Sequence, residues 1–570
     1  MSGWILLRMT EMCELIIGPM LRYVDETSAT IFVETSAPCV VSICGTETYT
    51  FEVSSHHYAL VVIEGLTPGS VIEYHVELNG VMRWPIAGAN FPPSVIRTLG
   101  GGTRPLRLLF GSCRAAAPHT PPFSLSATES SQGLGVDSLR AHGLRMQTQP
   151  CTSWPDLLLL LGDQVYADEP SPETASRLRR RWEQHSARAL KGRPKNIVQG
   201  FEDYTSLYRE SWQSDVERWV FSVVPSAMIF DDHDMVDDWN ISARWVEEMR
   251  AKPWWEEHMV GALMSYWIYQ HLGNLSPATI ASEGILAQVT EARDGKAILH
   301  AWALESERFT PIEGGYRFSF VRNLGRTRIV VVDCRNARVL EPYRAMLGVE
   351  EWNWVDKTCR AEIDHLLIGA SVPVMVPGGL HGLQIWNAAL CEGAWGRFAA
   401  RISERIRRFL DLEDWPAFEH SFAQMLALIG EIATGTGSSS GITPPATVSV
   451  LSGDIHFSYV AEVSYPEQPT VHSRVYQLVS SPIRNTLSRN ERRAMKFGMG
   501  NTGGRIGRIL QRSVRVRASQ ASWKLTHGPE FANELGALTL DGRSAELVLE
   551  RARPDDNGDP ILEEVVRASL

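Results

Sequence analysis

Five apolar runs in this chain stop abruptly at residues able to hold metal ions or move protons. Leu106 to Phe110 runs into Gly111, Ser112, Cys113 and Arg114, and Leu157 to Leu161 runs into Gly162, Asp163, Tyr166 and Asp168. Ala227 to Phe230 leads into Asp231, Asp232, His233 and Asp234, with Asp237, Asp238 and Asn240 close behind. Arg328 to Val332 meets Asp333, Cys334 and Arg335, and Val448 to Leu451 meets Ser452, Gly453, Asp454 and His456. Open α/β sheets place their sites outside the carboxyl ends of the strands, so the five ends are expected to share one crevice. Carboxylates gathered there repel one another and lose hydration unless cations lie between them. The expected chemistry is a polynuclear metal site.

Each residue also has a purely structural reading. Cys113 fits a buried thiol, Asp163 a turn aspartate, Tyr166 a packing ring and His233 a solvated imidazole within an acidic run. Asp454 and His456, two apart, are expected to alternate on a strand and face one side, as a chelate or as a hydrogen-bonded pair. The joint occurrence of all five ends carries the metal reading.

The elements that position these residues fall into two groups. From Gly18 to about Thr98 the text is short, β-branched and punctuated by turns such as Thr67-Pro68-Gly69. Strands are expected at 29–34, 40–44, 58–63 and 72–77, forming a small β-sandwich without chemically suited clusters, read as a docking or lid module. Gly100 to Gly102 marks a junction, beyond which apolar β-runs alternate with helical stretches at 173–191, 202–219 and 395–432. The Trp-rich stretch 239–273 reads as helices over the domain. Residues 537–540 and 545–550 form a hairpin about Asp541-Gly542. The domain reading is therefore an extension over 1–17, dispensable because Met9 and Met12 are alternative starts, an all-β module over 18–99, and an α/β catalytic domain over 104–570.

Two tracts stay outside this frame. Gly435 to Gly441 resembles a phosphate loop only superficially, because it lacks the Lys-Ser/Thr ending, and reads as a flexible connection. The basic tract Arg492 to Arg517 reads as a solvated face, with an anionic partner as the alternative.

Composition narrows the function. Of 570 residues 44% are hydrophobic and 21% charged, as in ordinary globular proteins. The net charge of -11 argues against general nucleic-acid binding. No apolar run approaches the ~20 residues of a membrane span, and no export signal or twin-arginine pair is visible, so a cytoplasmic location is expected. The eight cysteines form no Cys-x-x-Cys, which predicts free thiols, a Cys39–Cys44 bridge across a hairpin being the alternative.

With these residues assembled, the chain resembles the PhoD-like alkaline phosphatases of the calcineurin-like metallophosphoesterase superfamily. The motifs are Phe110-Gly-Ser-Cys-Arg114, Leu161-Gly-Asp-Gln-Val-Tyr-Ala-Asp168, Phe230-Asp-Asp-His-Asp234 and Leu451-Ser-Gly-Asp-Ile-His-Phe457, in the family's order. Weaker similarity extends over 333–335, 371–373 and 480–484. The superfamily's usual opening Asp-x-His is replaced by Ser112-Cys113-Arg114, which narrows the match to the PhoD-like branch. The resemblance implies a four-layer αββα catalytic domain behind an Fn3-like module. It implies iron and calcium, with manganese or zinc as alternatives. Cys113, Asp163, Tyr166 and His456 would hold the iron, and Asp163 would bridge to a second metal beside Asp232 and Asp454. His233 would contact the phosphate or the leaving group. Arg114, Arg335 and Arg338 are candidates for a fork on the phosphate, and His381 for a further metal histidine. The implied reaction is hydrolysis of a small-molecule phosphate ester, mono- or diester, by metal-activated hydroxide. A non-catalytic metal- or phosphate-binding sensor or scaffold is the alternative.

Overall fold

Two large mixed sheets form the body of the molecule. The computed structural model describes residues 13–101, 104–185, 194, 197–308, 315–436, 443–468, 470–516 and 519–570. In the first sheet the parallel strands Ser226–Ile229, Leu157–Leu161 and Leu106–Gly111 lie side by side, and three antiparallel strands continue it: Glu534–Asp541, Ser544–Pro554 and Pro560–Ser569. The second sheet has a parallel centre of Thr327–Val332, His365–Ala370, Thr447–Ser452 and Arg474–Val479. Phe320–Leu324 closes one edge, and Ser458–Ser464 with Ser522–Glu530 closes the other.

Leu157 to Leu161 is buried throughout because this strand is covered on both faces, which its continuous apolar run anticipates. One face of the second sheet meets the first: Ile329, Val331, Leu367 and Leu451 share a core with Leu159 and Leu161. Its other face, with Val330, Val332, Leu366 and Ile368, packs on Val355 of the helix Val349–Cys359 and on Phe422, Met425 and Ile429 of the helix Glu419–Thr434. The helix Ser138–Gln147 lies over the strands of the first sheet's antiparallel half. Every parallel strand thus delivers its carboxyl end to the same side of the molecule.

The N-terminal region is all β. One four-stranded sheet runs Leu15–Val24, Ser28–Thr35, His56–Glu64 and Phe51–Val53, and another runs Thr46–Tyr49, Val40–Ile43, Val76–Leu78 and Val81–Trp84. Leu15 to Ile17, read as part of a dispensable extension, belong to the first strand, where Ile17 is fully buried; residues 1–12 lie outside the described residues. The single strand expected over 72–77 is two short ones. Val71–Glu73 pairs with Val95–Arg97, and the chain changes sheet at Tyr74, whose hydroxyl donates to the Ser222 carbonyl at 2.6 Å.

The expected helix over 202–219 is likewise divided, into Phe201–Trp212 and Asp215–Val223, by Ser214 in extended conformation. The 395–432 stretch holds Arg397–Phe409 and Glu419–Thr434, separated by Asp411 at φ 46° and by Pro416. The helix Pro172–His185 fills the described part of 173–191. The Trp-rich stretch holds Ala243–Arg250, Trp255–Tyr266 and a π-helical turn at Trp267–His271. The C-terminal hairpin forms as read, with Leu538 opposite Leu547. Residues 437–441 of the glycine-rich loop and residue 102 of the junction lie outside the described residues. All eight cysteines are free, so Cys39 and Cys44 are not bridged.

Candidate metal centre

Four carboxylates from three strand ends meet at the rim of the two sheets. Asp163, Asp231, Asp232 and Asp454 each offer an oxygen such that all four atoms lie within 4.8 Å of one another. Asp163 follows Leu157–Leu161, Asp231 and Asp232 follow Ser226–Ile229, and Asp454 follows Thr447–Ser452 across in the other sheet. Cys113, after Leu106–Gly111, brings its Sγ to 3.4 Å from Asp163 Oδ2.

The backbone at these ends is held in unusual conformations. Cys113, Asp163, Asp454 and His456 have φ of 59°, 52°, 68° and 55°, in the left-handed region that non-glycine residues rarely adopt. Such conformations cluster where surrounding structure over-determines them, commonly at functional sites. Hydrogen bonds supply the constraint. Asp234 accepts from the backbone N–H groups of Asp163, Gln164 and Val165 at 2.9, 3.2 and 3.3 Å, and so clamps the turn after Leu161. Ser112 Oγ accepts from the Asp454 N–H at 2.9 Å, tying the Cys113 turn to the Asp454 turn. The left-handed backbone also replaces the expected strand at Asp454 and His456: the strand stops at Ser452, and both residues sit in the bend beyond it.

Burial makes the cluster electrostatically tense. Asp163 and Asp454 are pushed well above the ordinary carboxylate range, first by desolvation and then by neighbouring carboxylates. Asp231 rises to about 6 for the same first reason, in spite of Arg335. Asp232 alone is held low, because Arg335 and His233 outweigh the cost of its burial. Burial drives the Cys113 thiol and the Tyr166 phenol upward, and Asp163 adds to both. Asp163 Oδ1 and Asp231 Oδ2 are buried without a hydrogen-bond partner. Buried, charged oxygens left without donors are costly, and a cation among them removes that cost.

Around the carboxylates stand the other residues singled out from the sequence. His233 Nδ1 lies 2.9 and 3.0 Å from the two carboxylate oxygens of Asp168, and its ring centroid is 4.7 Å from that of Tyr166. Tyr166 Oη accepts from Asn485 Nδ2 at 3.1 Å. His456 is lowered to about 4, first by burial and then by the charge of His233. Arg335 is wholly buried among the acids. It pairs with Asp231, lies 3.3 Å from Asp232 and 2.6 Å from Glu413, and approaches Asp454 at 3.9 Å. Arg338 is buried beside it, 2.9 Å from Glu413.

Two candidates point elsewhere. Arg114 leaves the Cys113 turn in the opposite sense and is enclosed by Asp137 at 2.9 Å, Glu217 at 3.1 Å and the Ser211 carbonyl at 2.7 Å. His381, on the helix Gly378–Cys391, packs between Phe422 and Trp523. Asp231, Glu413, Asp168 and Asn485 were not singled out as site residues. Asp231 shares its run with Asp232, and Asp168 closes the Tyr166 motif, so both were within reach of the sequence; Glu413 sits between two helices with no pattern to mark it.

An α/β domain with carboxylates, a thiol and imidazoles converging on parallel strand ends has the donor set of a cation site. Residues 141–277 match the family model described as PhoD-like phosphatase, a span that includes Asp163, Tyr166, Asp232 and His233. Residues 12–96 match a domain of unknown function, DUF7800. Among solved structures, one titled "Structure of PhoD" aligns over 97% of this chain and 89% of that one, with TM-score 0.56 and 12% identity. An amylomaltase from Corynebacterium glutamicum aligns with TM-score 0.10 and 12% identity over 64% of this chain and 57% of that one, too low to carry an argument. No curated protein matches the sequence significantly. The resemblance read from the motifs is thus matched by the PhoD-like phosphatase model over residues 141–277, and the chain shares the fold of the solved PhoD structure.

Proposed function

We propose that this chain hydrolyses phosphate esters at a metal centre formed by Cys113, Asp163, Tyr166, Asp231, Asp232, Asp454 and His456. The observation that carries the reading is the set of four carboxylate oxygens within 4.8 Å, two of those side chains keeping a buried oxygen without any donor. The residues fit cations of two characters. The thiol of Cys113 and the phenol of Tyr166 suit iron, and the carboxylates beyond Asp163 suit calcium or manganese. Cations bound there would supply Lewis acidity and offset the negative charge of the phosphoryl oxygens.

The chain's own groups do the rest. Asp168 fixes the His233 ring through Nδ1, which leaves Nε2 to donate to a phosphate or leaving-group oxygen. Arg335 braces Asp231, Asp232 and Glu413, and Arg114 braces the Cys113 turn against Asp137 and Glu217. A cavity of about 330 Å³ opens beside Tyr166 and Asn485, bordered by Ala115, Phe123, Leu134 and Glu491, and would take the organic part of the ester. Its size admits a monoester or a diester. We read the two sheets with their outer helices as the four-layer αββα arrangement, and the N-terminal β region as an Fn3-like docking module, with boundaries near 18–99 and 104–570.

Protein purified without chelators should contain metal by elemental analysis and turn over generic mono- or diester substrates. The Asp163→Ala variant should lose both. An Asp163→Ala variant as active as the parent protein would sink the proposal.

A further inference from the structure

Two amphipathic, cationic helices pack on one shared helix and leave their outward faces uncovered. The shared helix is Gly378–Cys391; it is flanked by Arg397–Phe409 and by Asn501–Ser513. The first is fastened through Asn387, whose Nδ2 donates to the Ser403 carbonyl at 2.9 Å. The second lies so close that a Cβ at Gly379 or Gly382 would overlap the backbone around Gly498, Gly503 and Gly507. Both helices are therefore firmly seated, and their exposed faces are not frayed ends.

Those faces combine bulk apolar groups with arginine. Of the sixteen large apolar side chains exposed among the described residues, eight lie within 395–410 and 497–509. Phe398, Ile402 and Phe409 share one side of their helix at helical spacing, and Phe398 and Phe409 are 78% and 83% exposed. Ile506 and Ile509 stand on the outer side of the other, Ile509 at 65%. Arg397, Arg401, Arg405, Arg505, Arg508 and Arg512 interleave with them, and none of the six makes an ion pair among the described residues. This occurs in a chain whose net charge is -11.

We infer that these two helix faces dock on an anionic lipid surface. Helices with large apolar groups on the outer side and arginine beside them lie in a membrane interface, the apolar groups entering the acyl boundary and the guanidinium groups meeting phosphates. A second copy of the chain would bring like charges together across the contact. A nucleic acid would use the arginines but leave Ile402, Ile506 and Ile509 facing water, since aliphatic groups offer bases no stacking plane. Of these three occupants, lipid accounts for both halves of the pattern.

The test is co-sedimentation of the full chain with phosphatidylcholine vesicles and with vesicles of phosphatidylcholine mixed with phosphatidylglycerol. Binding to the mixed vesicles only, weakened by salt, is the expected result. Arg401→Gln with Arg505→Gln should lower partitioning about 30-fold, at ~1 kcal/mol per arginine. Phe398→Ser with Ile509→Ser should abolish it while the melting temperature stays unchanged. Absence of vesicle binding, or equal binding by the Ser variant, overturns the inference. So does a dimer that the Ser variant dissolves, or salt-dependent binding to duplex DNA, in protein that ignores vesicles.

Discussion

Asp168 accepts from the His233 ring with both oxygens, so its removal reports on imidazole orientation while leaving the four clustered carboxylates intact. Replacing His233 by Ala is expected to lower turnover by about 10²–10⁴, the usual range for a positioned acid or base. Asp168→Asn should lose about 10–100-fold, as outer partners of site histidines do, with metal content unchanged by elemental analysis. Equal activity of Asp168→Asn and the parent protein would remove the positioning role. At this scale the sequence was legible where chemistry follows an apolar run directly, as at Cys113, Asp163, Asp232 and Asp454. It was not legible where direction matters: nothing in Gly111-Ser-Cys-Arg114 reveals that Arg114 turns toward Asp137 and Glu217. A left-handed residue reverses the chain locally, so the alternation assumed for Asp454 and His456 fails at the one place where it was applied.

The turns after the strands hold the site together as elements, and their tightness is testable. A Cβ on Gly453 would overlap Ser112 Oγ, the atom that accepts from Asp454 N–H. Gly453→Ala should destabilise the protein by ~1–3 kcal/mol in a denaturant titration, as overpacking does, and should depress activity because the Cys113 and Asp454 turns must part. Stripping metal acts on the same turns from the other side. Four clustered carboxylates, three of them buried, must take up protons or repel when no cation lies among them, so chelator-treated protein should melt lower. Restoring a binding cation at 100-fold over its Kd should recover about 2.7 kcal/mol by mass action, read as a concentration-dependent rise in melting temperature. The strands themselves were read from apolar runs with small errors in length. The errors that changed an element came where one residue switches the chain: Tyr74 between two sheets, Ser214 between two helices, Asp411 before Pro416.

At the scale of the whole molecule, the N-terminal β region and the α/β domain meet through charge. His56 lies 3.2 Å from Glu34 in its own module and 3.0 Å from Glu202 on the helix Phe201–Trp212, where Arg209 also pairs with Glu34. Burial opposes the imidazolium, yet the two glutamates raise it to about 9. A raised value in the folded state means that the protonated ring stabilises the fold fully below the unfolded histidine value of about 6.5, and that this contribution fades as pH climbs through about 9. Stability should thus fall between those limits more steeply in the parent protein than in His56→Ala, measured by urea midpoints across the range. A His56→Ala profile parallel to the parent's would refute the contribution.

The same junction carries Arg22, whose guanidinium donates to the carbonyls of Tyr269 and Gln270 at 2.6 Å and to that of Ser226 at 3.3 Å. These acceptors lie 247, 248 and 204 residues further along the chain. During synthesis, an arginine of the opening strand therefore emerges long before the groups that will receive it, and these contacts cannot close until all three parallel strands of the first sheet have followed. Their completion is set by the arrival of Gln270, the last of those acceptors to emerge, well after the strand that delivers Asp231 and Asp232.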